Sequence, residues 1–231
     1  MSVVGCFIDL NFVVDSSGSI DSNKWDTALQ FVATVSSQFT IGPDDVQVAF
    51  VLFSDEATVQ WDLRQHRDSA RLDRAIKNVR HIGLRTNLND ALYLTRTVVF
   101  AQDRGTRPGA EKVTIILTDG EDNVPLAGTP LTLENATACK NDGIQLIAIG
   151  VTDKVDEHRL RQIVSDPQRD YYPVTDFSAL RSSVLNRLLL ELCGITPKEP
   201  GIRPYYTHSR RRLFKMLLRF LATQLLIFQT M

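Results

Sequence analysis

Phe7-Ile-Asp-Leu-Asn-Phe-Val-Val-Asp15-Ser-Ser-Gly-Ser19 is the stretch that decides how this chain reads. Phe7, Ile8, Leu10, Phe12, Val13 and Val14 make a near-continuous apolar run, the pattern of a strand buried on both faces. The run stops in a cluster of Asp, Ser and Gly, residues that favour a turn. Beyond it, Trp25, Leu29, Val32, Val35 and Phe39 recur near a 3.6-residue period, so a helix follows, with Asp21 or Ser22 as its cap. Buried strand, polar turn and amphipathic helix together open an α/β fold.

The same alternation continues outward. Val46–Phe53 and Ala57–Trp61 read as two strands close enough to form a hairpin. Residues 112–117, Ile144–Val151 and Tyr171–Val174 read as three more. Helical patterns fall at 69–79, at 89–101 with Asn89 as cap, at 133–141 before Gly143, and at 157–164. A last helix starts at Asp176, with Phe177, Leu180, Val184, Leu188 and Leu192 along one face and Gly194 as its stop. The expected architecture is α/β: a doubly wound, mostly parallel six-stranded sheet with helices on both faces. Phe7, Val13, Val48, Ile115 and Ile147 are its expected core.

Composition agrees with one sizeable domain. The 231 residues are 43% hydrophobic and 23% charged, which excludes disordered and collagen-like chains. Net charge is -1, but residues 201–231 carry six Lys or Arg and no acid. The remainder carries 20 basic and 27 acidic residues, a net of -7. An acidic body favours cations over phosphates and argues against nucleic acid.

In open α/β sheets, ligands bind beyond the carboxyl ends of the strands. Three loops there carry polar side chains: Asp15-x-Ser17-x-Ser19, Gly83-Leu-Arg-Thr86-Asn87 and Asp119-Gly-Glu-Asp122. Each alone is an ordinary turn. Together, in order and at strand ends, they make a metal site. All the donors are hard oxygens, with no His or Cys, which suits Mg²⁺ or Mn²⁺ and not Zn²⁺. Asp15 and Asp119 would cancel the charge, and Ser17, Ser19 and Thr86 would add neutral ligands.

These motifs resemble the von Willebrand factor type A (VWA) domain. Asp15-Ser-Ser-Gly-Ser19 is similar to the DxSxS motif of its metal-ion-dependent adhesion site (MIDAS). Residues 83–92 match the loop whose Thr is a ligand, and residues 115–120 match the strand end with the last Asp. Leu84 departs from the second Gly common in the family; it should alter the loop and not the ligand set. The resemblance covers residues 6–193 and implies a Rossmann-like sheet with one antiparallel edge strand. It assigns residues 1–194 to the domain and 195–231 to a linker and a basic, apolar C-terminal tail. It further implies that Asp15, Ser17, Ser19, Thr86 and Asp119 hold the cation directly or through water. A Glu or Asp of a protein partner, such as collagen or another matrix or cell-surface protein, would be the last ligand.

In extracellular members the flanking cysteines commonly pair, which implies a Cys6–Cys193 disulfide. Cys139, on a helix where the family has an apolar residue, is expected to be a buried free thiol. On this reading the chain is a secreted adhesion module lacking its signal peptide, since Met1 to Gly5 is too short for one. Asn135-Ala-Thr137 would then be a glycan acceptor. The alternatives are a cytoplasmic scaffold of the same fold and a membrane-attached protein, because residues 210–221 resemble a membrane-seeking helix. An enzyme is not expected. No His accompanies the motif, and the chain has neither a G-x-S-x-G elbow nor a phosphate loop.

Overall fold

The computed structural model describes residues 6–120, 131–152, 155–180 and 184–193. The chain divides into two compact units, Met1–Val184 and Leu185–Met231. The first holds six strands: β1 (Ile8–Asp15), β2 (Val46–Phe53), β3 (Ala57–Trp61), β4 (Glu111–Thr118), β5 (Ile144–Val151) and β6 (Tyr171–Val174). Its α-helices are α1 (Ser22–Ser36), α2 (Ser69–Lys77), α3 (Leu88–Leu94), α4 (Leu131–Asn141) and α5 (Glu157–Ile163). The second unit contains α6 (Leu185–Cys193), in which Leu188, Leu189 and Leu192 are buried.

The strands form one sheet in the order β3-β2-β1-β4-β5-β6. Every pairing is parallel except β2 with β3, the expected hairpin at one edge. Opposite Phe50 and Val51 the hairpin register shifts, leaving Gln60 as an extra residue in β3. β1 and β2 are buried at every position, as strands covered on both faces must be. Val13, Val51, Ile116 and Ala148 share one core cluster with Leu88, Leu92, Ala136, Cys139, Leu160 and Ile163 of α3, α4 and α5. Asp21 caps α1: its carboxylate accepts from the amides of Asn23 and Lys24 at 3.0 Å each.

Three expectations need correction. Asn87, not Asn89, caps α3: its Oδ1 accepts from the Asp90 amide at 3.1 Å, whereas Asn89 Oδ1 accepts from Asn135 Nδ2 at 2.9 Å. The helix expected over 89–101 is also broken. After Leu94 the chain widens into a π-helical turn, Thr95–Val99, followed by a 3₁₀ turn, Gln102–Arg104. Thr95 explains this: its hydroxyl donates to Ala91 O (2.7 Å) and accepts from Asn11 Nδ2 of β1 (3.1 Å). The segment that starts at Asp176 is not uniform α-helix: it opens as a 3₁₀ turn, Phe177–Ala179, with the Asp176 carboxylate accepting from the Ala179 amide at 3.1 Å, and Leu180 and Val184 are π-helical. α-Helical geometry is taken up from Leu185, and residues 181–183 lie outside the described residues.

Phe7 is also not core. It is 37% exposed and lies just before β1, beneath the guanidinium of Arg107, 4.2 Å from its ring centre. Arg107 closes this end of the sheet. Its Nε and backbone amide each donate to the fully buried Asp9 carboxylate at 2.8 Å. Its other nitrogens donate to the carbonyls of Pro43 (2.6 Å), Ile8 (2.7 Å) and Asp45 (3.0 Å). The remaining expected core residues, Val13, Val48, Ile115 and Ile147, are fully buried.

Candidate metal centre

The chain leaves β1 toward β2 on one side and β4 toward β5 on the other, so the crevice of the sheet opens between β1 and β4. Asp15 is the last residue of β1, and Asp119 directly follows β4. Parallel register sets Val14 beside Leu117, and this brings Thr118 to Asp15. The Thr118 hydroxyl donates to Asp15 Oδ2 at 2.6 Å, while the Ser17 amide donates to Asp15 Oδ1 at 2.8 Å. Ser19 Oγ donates to Asp119 Oδ1 at 2.7 Å and lies 3.0 Å from Ser17 Oγ. Thr86 faces the same spot: a Cβ placed on Gly120 would stand 3.8 Å from Ser19 Oγ and 4.0 Å from Thr86 Oγ1. All five expected residues therefore converge at one strand-end crevice. Glu121 and Asp122 lie outside the described residues.

The loop bearing Thr86 is stitched to the Asp15–Ser19 turn. Gly83 N donates to Ser16 O (2.9 Å), Ile82 N to Ser16 Oγ (2.8 Å) and Gly18 N to Leu84 O (2.8 Å). The approach is so close that a Cβ on Gly18 would meet Gly83 O at 3.1 Å, and Gly83 itself takes φ 79°. Ser54 supports the loop from β2, accepting from Leu84 N (3.0 Å) and donating to Arg85 O (2.9 Å). His81 adds a contact between its Nε2 and Ser17 O at 3.0 Å, with its ring 5.2 Å from Trp25. Thr152, held at the rare φ of 77°, donates its hydroxyl to Asp119 O at 3.4 Å.

Sequence reasoning missed these supports. In the sequence His81 reads as a surface histidine, while Thr118 and Ser54 fall just past the ends of strands with no role assigned; only their spatial neighbours give them one. Leu84 adopts the loop conformation and leaves its side chain 56% exposed beside the site.

Asp15 is 0% and Asp119 2% exposed. Among the described residues neither pairs with a Lys or Arg. Burial pushes the Asp15 carboxyl up to about 6; hydrogen bonds from Thr118 and Ser17 partly oppose this, and the charge of Asp119 adds to it. Buried carboxylates of this kind are stabilised by a cation. The donor set fits a hard divalent ion: two carboxylates and three hydroxyls, with no cluster of three His, Cys, Asp or Glu among the described residues.

Elsewhere, Asn135 lies half-buried within α4 with its side-chain amide held by Asn89. Cys6 and Cys193 are disulfide-bonded, and Cys139 is free and buried, its thiol pushed up to about 12 by burial.

The model of the von Willebrand factor type A domain matches residues 9–186. The collagen alpha-1(XII) chain of Notophthalmus viridescens is 31% identical over 197 residues, which is 85% of this chain and 20% of that protein. Matrilin-2 of Mus musculus is 29% identical over 178 residues, 75% of this chain and 18% of that one. Among solved structures, proximal thread matrix protein 1 from the mussel byssus superposes with TM-score 0.72 at 28% identity, over 83% of this chain and 48% of its own. Another structure of that protein, at TM-score 0.70, has a zinc-occupied MIDAS motif. The chain thus spans about a fifth of these two curated relatives and under half of the mussel protein. With the matched model over most of the described residues, and a six-stranded sheet carrying one antiparallel edge, the chain belongs to the von Willebrand factor type A domain family.

Proposed function

We propose that this chain is a divalent-cation-dependent protein-binding module that engages an acidic side chain of a matrix or cell-surface partner. The observation that carries this reading is the pair of buried carboxylates, Asp15 and Asp119, set with three hydroxyls at one crevice and given no basic partner among the described residues. Asp15, Ser17, Ser19, Thr86 and Asp119 would hold Mg²⁺ or Mn²⁺. A bound cation supplies an electrophilic position for one more anionic oxygen. Thr118 and the Ser17 amide orient Asp15, and Ser19 orients Asp119. Exposed Leu84 and Ile82 give the rim an apolar surface next to that position.

The names of the relatives support a matrix setting, with collagen or another matrix protein as partner. The disulfide state of Cys6 and Cys193, read as one bond between them, supports an oxidising compartment and hence a secreted protein. Residues 1–194 are assigned to the domain and 195–231 to a linker and tail. Membrane contact by that tail falls outside the described residues. A glycan on Asn135 would be attached at the Nδ2 that donates to Asn89, leaving one N–H for that bond. A hydrolase is not proposed. Ser17 Oγ meets Ser19, and His81 meets the Ser17 carbonyl and not its hydroxyl, so among the described residues no base is positioned on Ser17.

The test is a pull-down against collagens and other matrix proteins in Mg²⁺ and in EDTA. Binding should need the cation, and amide substitution of one partner Glu or Asp should remove most affinity. Full binding in EDTA, or with every acid of a mapped epitope amidated, would overturn the reading.

A further inference from the structure

We propose that the exposed face of α2, together with the segments flanking it, binds a sulfated polysaccharide at a site distinct from the cation centre. Residues 62–80 carry six Lys or Arg and three Asp, a net of +3. The rest of residues 1–200 carries 14 basic and 24 acidic residues, a net of -10. The strip is thus a positive island on an acidic body. Its six cations, Arg64, Arg67, Arg71, Arg74, Lys77 and Arg80, are all exposed.

Helix geometry aligns the three that lie in α2, Arg71, Arg74 and Lys77. Leu72 and Ile76 are the buried residues of α2. At 3.6 residues per turn, Arg74 points directly away from them, with Arg71 and Lys77 about 60° to either side. Arg64, Arg71 and Lys77 have carboxylate neighbours at 3.6, 3.2 and 2.7 Å. Among the described residues Arg67, Arg74 and Arg80 have none. Arg67 and Arg74 donate only Nε to backbone carbonyls, at 3.4 and 3.3 Å, which steadies their guanidinium groups. Since β3 runs antiparallel to β2, α2 climbs for about 13 Å from the far end of the sheet toward the loop that holds Thr86.

The chemistry of the strip selects its ligand. Five of the six cations are Arg, whose planar fork engages oxyanions through two parallel hydrogen bonds. A protein partner would look for an apolar or aromatic anchor. None of the exposed large apolar residues (Phe7, Ile82, Leu84, Tyr93, Leu131, Leu190) lies in the strip. A single-stranded nucleic acid would look for an exposed stacking ring, and Trp61, next to the strip, is buried. A linear chain of regularly spaced sulfates needs neither. In the secreted setting proposed above, such chains are the available polyanion.

The experiment measures binding of a fluorescent heparin octasaccharide to the full chain at physiological salt, in EDTA so that the cation centre contributes nothing. Replacing Arg67, Arg71, Arg74 and Lys77 together by Gln should weaken binding about thirtyfold, the product of four exposed contacts each worth a factor of two to three. It should also flatten the dependence on salt. Replacing Arg210, Arg211 and Arg212 by Gln should leave most of the affinity, and the fully desulfated octasaccharide should not bind. Circular dichroism of the variants should match wild type, because all four strip positions are exposed. Unchanged affinity in the strip variant, loss confined to the tail variant, equal binding without sulfate, or stronger competition by DNA than by the sulfated saccharide would each overturn the proposal.

Discussion

Asp15 concentrates the chemistry of the crevice in one carboxyl group. In the unfolded chain it ionises near 3.8, whereas burial holds it protonated to about pH 6 in the fold. Between those pH values the folded chain keeps a proton that the unfolded chain releases. Stability of the cation-free protein therefore falls as pH rises through this window, by at most about 3 kcal/mol. The ionised form that results is the one a cation stabilises. Millimolar Mg²⁺ should raise Tm at about pH 7.5 and have little effect at about pH 5; equal shifts at both would exclude Asp15 as a ligand. Asp119→Ala should abolish the shift. At the opposite end of the sheet, Arg107→Ala would leave the Asp9 carboxylate buried and unpaired. A loss of about 3–5 kcal/mol in urea unfolding is expected. Arg107→Lys should also destabilise, because an ammonium cannot reach Asp9 and the three carbonyls together.

At the scale of elements, the loop between α2 and α3 matters most. It carries the Thr86 hydroxyl, lies against the Asp15–Ser19 turn, and hands the chain to α3 at Asn87. Asn87 does two jobs: its Oδ1 caps the helix and its Nδ2 donates to Asp55 O at 3.0 Å. Asn87→Ala should cost about 1–2 kcal/mol. Asn89→Ala, at the position that the sequence pattern favours as the cap, should cost less, because its bond to Asn135 is partly exposed. Denaturant midpoints of the two variants decide this, and the reverse ranking would contradict the cap assignment. The π-helical turn that follows is set by pairing across elements, since Thr95 must reach both Ala91 O and Asn11.

For the whole molecule, the sheet core does not depend on the crevice. Phe12, Phe50, Leu10 and Ile147 are buried well away from the five oxygen donors along their strands. Chelation should therefore release a bound partner while leaving the far-ultraviolet circular dichroism unchanged. Loss of that signal in EDTA would make the cation structural, as in small metal-folded domains. Reduction of the disulfide is expected to act differently. If Cys6 and Cys193 are joined, cutting so long a loop costs up to about 5 kcal/mol in the chain-entropy model. Tm should then fall with reductant, and by the same amount with and without Mg²⁺.

The sequence by itself determined the strands and the sheet class, and it picked out the candidate donors. Strands buried on both faces are mostly apolar, as 8–14, 46–53 and 144–151 are apart from Asp9, Asn11, Gln47 and Gln145, and the polar cluster that follows Val14 and Leu117 stands out at the strand ends. Asp15, Ser17, Ser19 and Asp119 were legible as candidates for that reason, and Thr86, in the loop between α2 and α3, by the resemblance of its motif. Tertiary structure decided what depends on partners distant in the chain. Thr118 meets Asp15 through strand register, His81 meets Ser17 through a loop crossing, and Asn11 meets Thr95 across 84 residues. Phe7 continues the apolar run of β1 yet is capped by Arg107, because the strand ends there and the sheet no longer covers it. Arg71, Arg74 and Lys77 likewise become one outward face only when Leu72 and Ile76 turn α2 inward.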